Sequence, residues 1–142
     1  MRYESSIEIE RSPDEVFTFL TDLRNLPAWQ PSVVATRAEG TLAPGGTFSE
    51  TREFLGKRIE STLEVVALEP GRELTLRVVE GPVPLTIRHL LEEVGTGTRL
   101  TLTGEGEPGG LFRLAAPLAG RAVKRQAGED LRRLKRLLEE RL

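Results

Sequence analysis

The chain has 142 residues, the size of one ordinary domain, and a chain of that length can bury a core without disulfide or metal staples. It has no cysteine, which excludes disulfides, thiolate metal sites and cysteine nucleophiles, and suits a reducing, cytoplasmic setting. Lys and Arg total 20 against 22 Asp and Glu, and the net charge of -2 argues against nucleic acid as the main partner, since neutralising phosphates needs a basic excess.

The start, Met1-Arg2-Tyr3-Glu4-Ser5-Ser6, lacks the apolar stretch of a signal peptide, and no run approaches the ~18 apolar residues of a membrane span. Residues 3–10 alternate polar and apolar through Ile7 and Ile9, which predicts a strand with one buried face. Ser12-Pro13-Asp14-Glu15 follows. Ser12 can cap a helix, Pro13 suits its first position, and Glu15 can reach back to complete a capping box. Val16, Phe17 and Leu20 form the apolar stripe of that short helix, and Asp22 caps a second through Leu23 and Leu26. Pro27 is expected to end it, and Pro27-Ala28-Trp29-Gln30-Pro31 to be irregular, because proline disfavours helical geometry in the residue before it.

From about 32 to 106 the chain reads as strands separated by turn chemistry: Pro44-Gly45-Gly46, Leu55-Gly56-Lys57, Pro70-Gly71, Gly81-Pro82 and Gly95-Thr96-Gly97. Pro70-Gly71 fits the centre of a type II turn, where glycine supplies positive φ. Residues 59–65 and 74–78 alternate with period two, so a meander of hairpins is expected. After the hinge Pro108-Gly109-Gly110, the apolar residues Ala116, Ala119, Val123, Ala127, Leu131, Leu134 and Leu138 recur at helical spacing. Pro117 should kink or restart this helix one turn in.

An antiparallel sheet with one polar face must cover the other, and only the last helix, reaching about 48 Å at about 1.5 Å per residue, is long enough. The fold class is therefore α+β: about seven strands in a single curved antiparallel sheet around a long C-terminal helix, with two short helices after the first strand, in one domain spanning 1–142. Leu131, Leu134 and Leu138 fill space in the second half of the helix. Ala115, Ala116, Ala119, Gly120, Ala122, Ala127 and Gly128 are small. Opposite them, Phe48, Phe54, Leu76, Val78, Leu85 and Ile87 offer large apolar walls. Such a pairing gives either close helix–sheet contact or a cavity, and the proline and the Gly-rich approach favour a cavity.

The segments Ile9-Glu10-Arg11-Ser12-Pro13-Asp14-Glu15-Val16-Phe17, Leu23-Arg24-Asn25-Leu26-Pro27-Ala28-Trp29 and Gly97-Thr98-Arg99-Leu100 resemble the polyketide cyclase/dehydrase branch of the START-like (Bet v 1-like, SRPBCC) superfamily over the whole chain. That resemblance implies a helix-grip fold with a ligand cavity between sheet and helix. It also implies binding of lipids, sterols, polyketides, plant hormones or quinone-like molecules, with a minority of members catalysing cyclisation or dehydration. The superfamily shares a pocket and no single catalytic motif, so fold is implied more firmly than activity.

Three residues are candidates for chemistry. Glu50 and Arg52 alternate in phase with Phe48 and Phe54, so a carboxylate and a guanidinium share the aromatic face, unless a bulge turns them outward. His89, the sole histidine, shares a face with Leu85, Ile87 and Leu91, either as a pocket acid–base group or as a core residue bonded to backbone. Trp29 lies at the cavity rim or clamps the short helices. Phe112, Ala116, Ala119 and Val123 complete the expected ligand-binding set. A His-only metal site is improbable with one histidine, and no phosphate loop precedes a parallel βαβ unit, so no metal or cofactor is expected. Arg121, Lys124, Arg125, Arg132, Arg133, Lys135 and Arg136, interleaved with Glu129, Asp130, Glu139 and Glu140, read as a solvated, ion-paired face.

The expected function is binding or transport of a small hydrophobic molecule, a polyketide, quinone or lipid, by a cytoplasmic monomer or weak homodimer without stable membrane insertion. The alternatives are a cyclase/dehydratase and an interaction domain with a vestigial cavity.

Overall fold

Alternation of apolar residues through Tyr3, Ile7 and Ile9 produces β1 (Arg2–Ile9) in the computed structural model, which describes residues 2–54, 56–106 and 116–141. The chain then turns at Ser12, which caps α1 (Pro13–Leu20): its hydroxyl accepts from Glu15 N at 3.2 Å, and the Glu15 carboxylate reaches back to the Ser12 backbone N–H at 3.4 Å. Val16, Phe17, Phe19 and Leu20 bury one side of this helix. Asp22 caps a single 3-10 turn (Leu23–Asn25), accepting from Arg24 N at 3.1 Å.

One expectation is corrected here. Leu26–Trp29 is not irregular but forms a one-turn α2, with Leu26 itself in helical geometry. Pro27 occupies the first turn, where its missing N–H leaves no hydrogen bond unmade.

Six strands follow: β2 (Val33–Ala38), β3 (Thr47–Phe54), β4 (Lys57–Glu69), β5 (Glu73–Glu80), β6 (Thr86–Val94) and β7 (Gly97–Glu105). They form a meander in one antiparallel sheet of order β1-β7-β6-β5-β4-β3-β2, so the first strand pairs with the last. Gly71 takes φ +74° and Arg72 N donates to Glu69 O at 2.9 Å, closing the β4–β5 hairpin with the positive φ its sequence calls for. The register of the long β4 against β5 shifts at Thr62/Leu63 and again at Val65/Ala67. Each shift adds local twist, which bends the sheet.

The described part of the last helix, α3, runs Ala116–Glu139 with Pro117 in its first turn. Its buried stripe, Ala127, Asp130, Leu131, Leu134 and Leu138, lies along β1 and against α2. The core cluster joins Ile9, Val16, Phe17, Leu20, Trp29, Val65, Leu74, Leu91 and Leu100 to that stripe. It fills the end of the sheet where β1 leaves for α1. Two small residues expected to leave space do the reverse: Ala127 is buried, and a Cβ added at Gly128 would stand 3.7 Å from Ser5 Oγ. They permit close contact between α3 and β1. No described helix is long and apolar enough to cross a membrane.

Candidate ligand-binding site

Which side chains face α3 follows from register. Tyr3 stands opposite Gly104, Gly104 opposite Ile87, and Ile87 opposite Leu76, so these four share the concave face. In the next row Ser5, Leu102, His89 and Leu74 are aligned in the same way. Directly opposed residues on antiparallel strands point to one side. On β3, the pairs Phe48↔Leu63, Glu50↔Ser61 and Arg52↔Ile59 run without a shift, so no bulge turns the charges outward.

Burial along this face is uneven. Leu63, Val65, Leu74, Leu91 and Leu102 are buried, whereas Ile59, Leu76, Val78, Leu85 and Ile87 are only half-buried. Leu76, Ile87 and Val123 touch the core cluster while keeping exposed surface. Phe48 is buried with its partner Leu63, apart from the main core cluster, and Phe54 is half-buried at the end of β3. Phe112 lies outside the described residues, as do the side chains of Ala116 and Ala119.

The charged residues of β3 are drawn inward. The Arg52 guanidinium donates to Glu50 Oε1 at 3.2 Å, Ser32 Oγ at 3.1 Å and Gln30 Oε1 at 2.8 Å. The last two partners follow α2, so Arg52 ties β3 to the segment after the short helices. Glu50 keeps only 12% of its side chain exposed.

Asp130 of α3 corrects a sequence expectation. It is not on the solvated face; its side chain is 4% exposed, and one oxygen, Oδ1, accepts from Gln126 Nε2 at 2.9 Å and Arg133 Nη1 at 3.2 Å. Burial pushes its carboxyl above the usual range, partly offset by Gln126, Arg52 and Arg133. Elsewhere on the helix Lys135 pairs with Glu139 at 2.8 Å, while Arg121, Lys124, Arg125, Arg132 and Arg136 are exposed and form no ion pair among the described residues, so the expected ion-paired face is largely one of solvated cations.

Tyr3, which the sequence did not single out, completes the interior polar set. Its ring lies against Gly104: a Cβ there would overlap Tyr3 Cε1, so only glycine admits the ring. Burial pushes the phenol up to about 12, and Arg52, Asp130 and Glu50 all act electrostatically on it. The signal was present, since Tyr3 is in phase with Ile7 and Ile9.

His89 is 4% exposed, and its Nδ1 lies 3.0 Å from Leu74 O. Desolvation lowers its pKa to about 4. The ring is therefore neutral at pH 7, with Nδ1–H donating to the carbonyl and Nε2 bare. His89 stands apart from the Glu50–Arg52 pair, among Leu74 and Leu102. Trp29 is 1% exposed and belongs to the core, not to a rim. Its carbonyl accepts from Arg133 Nη1 at 3.4 Å, which fastens α2 to α3, and its Nε1 is buried without a partner among the described residues.

No group of described His, Asp or Glu residues is arranged to hold a metal ion. Two outer concavities are formed by described residues. One of about 630 Å³ runs between α1 and the β2–β3 connection past Phe17, Leu23, Leu42 and Leu68; the other, of about 390 Å³, lies by Arg11, Asp14 and Arg141. Neither includes the interior polar set.

A curved seven-stranded antiparallel sheet gripping one long helix, with two short helices after its first strand, defines the helix-grip class. The sequence matches the family model described as polyketide cyclase / dehydrase and lipid transport over residues 1–139, and the chain belongs to that family, within the START-like superfamily. No protein of curated function matches it. Among solved structures it is similar to TTHA0849 from Thermus thermophilus, with a TM-score of 0.86 at 16% identity over 98% of this chain and 97% of that one. The Zhui aromatase/cyclase from Streptomyces sp. R1128 superposes with a TM-score of 0.80 at 16% identity, covering 99% and 94%. Ara h 8.0201 does so at 0.70 and 14%, covering 99% of each chain. At these identities the likeness is one of fold.

Proposed function

We propose that the protein binds a small apolar molecule between the concave face of the sheet and the early turns of α3. The observation that carries this reading is the partial exposure of Leu76, Val78, Leu85 and Ile87 on a face where the adjacent Leu74, His89 and Leu102 are buried. Large aliphatic side chains on the inner face of a sheet are normally covered, and each 100 Å² a ligand covered there would contribute about 2.5 kcal/mol. The interior polar set, Tyr3, Glu50, Arg52 and Asp130, gives such a molecule a few fixed polar contacts, as small-molecule sites commonly do. The family description, which names lipid transport beside cyclisation, agrees with a carrier. The test is native mass spectrometry of purified protein together with titration of the neutral dye Nile red. A retained species or saturable dye uptake is expected; absence of both would overturn the reading.

A second reading, cyclisation or dehydration of a polyketide-like substrate, is favoured by one observation: titratable groups of both signs stand inside the domain within electrostatic reach of Tyr3. The similarity to an aromatase/cyclase supports it. Turnover of a poly-β-ketone substrate that survives Ala substitution at each of Glu50, Arg52 and His89 would remove these residues from any catalytic role.

A further inference from the structure

Resting on the reading of an interior apolar site, we propose that Tyr3 and Asp130 select its ligand: an uncharged apolar molecule bearing a hydroxyl group, in preference to a carboxylate of the same shape.

The charges inside the domain balance in pairs. Arg52 is held by Glu50 at 3.2 Å and is also spent on Ser32 and Gln30, while Arg133 is held by Asp130 at 3.2 Å. An incoming carboxylate meets two arginines already engaged and two resident carboxylates, so its desolvation is not offset. A neutral head avoids that cost.

The groups left over suit a hydroxyl. The Tyr3 hydroxyl has no hydrogen-bond partner among the described residues, although the residue is only 8% exposed. It also differs from Trp29 Nε1, which is both unpartnered and sealed from solvent, in that it is not sealed. The phenol is held protonated by burial and so remains a donor across the physiological range. Asp130 uses Oδ1 for both Gln126 and Arg133, leaving Oδ2 without a partner among the described residues. Tyr3 faces α3 from the concave side of β1, and Asp130 lies on the buried stripe of α3, which packs along β1, so the free donor and the free acceptor border the same interior. A ligand hydroxyl can accept from the first and donate to the second. A ketone or ether satisfies only the donor, a hydrocarbon neither, and a carboxylate meets the acceptor as a like charge.

The experiment is calorimetric titration of the full chain with 2-naphthol, naphthalene and 2-naphthoate, repeated with 9-phenanthrol, phenanthrene and phenanthrene-9-carboxylate to cover a larger site. The hydroxylated member of a series should bind about tenfold more tightly than its hydrocarbon, the gain of one well-placed hydrogen bond. The carboxylate should bind more weakly than either. Tyr3→Phe should bring the hydroxylated ligand to the level of the hydrocarbon, whose own affinity stays put. Asp130→Asn should narrow the gap between hydroxyl and carboxylate, and thermal melts show whether each variant is folded. A carboxylate that binds as tightly as the hydroxylated ligand, or a folded Tyr3→Phe that keeps the hydroxyl preference, overturns the assignment while leaving the apolar site in place. If neither hydrocarbon nor Nile red binds, the apolar site itself fails and the assignment falls with it.

Discussion

The two ends of the concave face use the same strands and the same alternation, yet they serve opposite purposes. At the α1 end, Ile9, Leu91, Leu100, Leu134 and Leu138 are buried together with the short helices, and the buried polar side chains among them, His89 and Thr98, are each bonded to a backbone carbonyl. At the other end the same strands present Tyr3, Glu50, Arg52, half-buried Leu76 and Ile87, with Asp130 facing them from α3. One strand thus contributes to a sealed core at one end and, in the function proposed above, to recognition at the other. The difference comes from α3, whose Leu-rich late turns pack while its early turns carry small residues.

The comparison is broken most directly by truncating one residue at each end. Leu134→Ala, at a fully buried position, should cost about 2–5 kcal/mol in urea denaturation, while Ile87→Ala should cost less than half as much, because its site is already partly open. Equal costs would mean that the two ends are packed alike.

His89 gives the next largest effect. Its folded pKa of about 4 lies below the ordinary 6.5, so the unfolded chain binds the extra proton between these values. Stability is then complete above pH 6.5 and is lost as pH falls towards 4, by on the order of 3 kcal/mol. Asp130, raised by burial, acts in the opposite sense, so His89→Gln is needed to isolate the effect. The variant should flatten the stability profile in that window; an unchanged slope would reject a neutral buried imidazole.

Gly104→Ala should follow, at about 1–3 kcal/mol, because the new methyl overlaps the Tyr3 ring. Its sharper consequence is loss of hydroxyl preference through displacement of Tyr3, read by the same titrations. The smallest signal is spectroscopic. Tyr3 is the only tyrosine, so absorbance at the phenolate band should show it still protonated at pH 11 in the folded chain and ionised once the chain unfolds. Ionisation near pH 10 in the folded protein would place the ring in solvent.

The architecture was legible because its signals are local and periodic: Ile7 and Ile9 on β1, the Ser12–Glu15 box on α1, and the Leu131–Leu134–Leu138 stripe on α3. The α2 turn was misread because the bias against helical geometry before proline is a preference that context can override: Leu26 is held helical by the preceding 3-10 turn, its N–H donating to Leu23 O. The site was half-legible. The phase of Glu50 and Arg52 followed from alternation, but the partners of Arg52, Gln30 and Ser32, lie 20 or more positions away in an irregular segment that no period predicts. Asp130 was hidden among surface charges, although its spacing from Ala127 and Leu134 puts it on the buried stripe. The phase of Tyr3 with Ile7 and Ile9 put it on the inner face, but its contact with Gly104 depends on the pairing of β1 with β7, which no local pattern reveals.

That pairing also governs how the chain matures. Arg2 and Glu105 meet across 103 positions, so β1 emerges from the ribosome long before its neighbour exists. The hairpins β2 to β7 can zip in sequence, but closure by β1 must wait until residue 105 has been made. Such distant contacts slow folding and leave an amphipathic strand exposed in the interval. Nascent chains stalled before residue 105 should therefore be protease-sensitive throughout, with protection appearing in one late step.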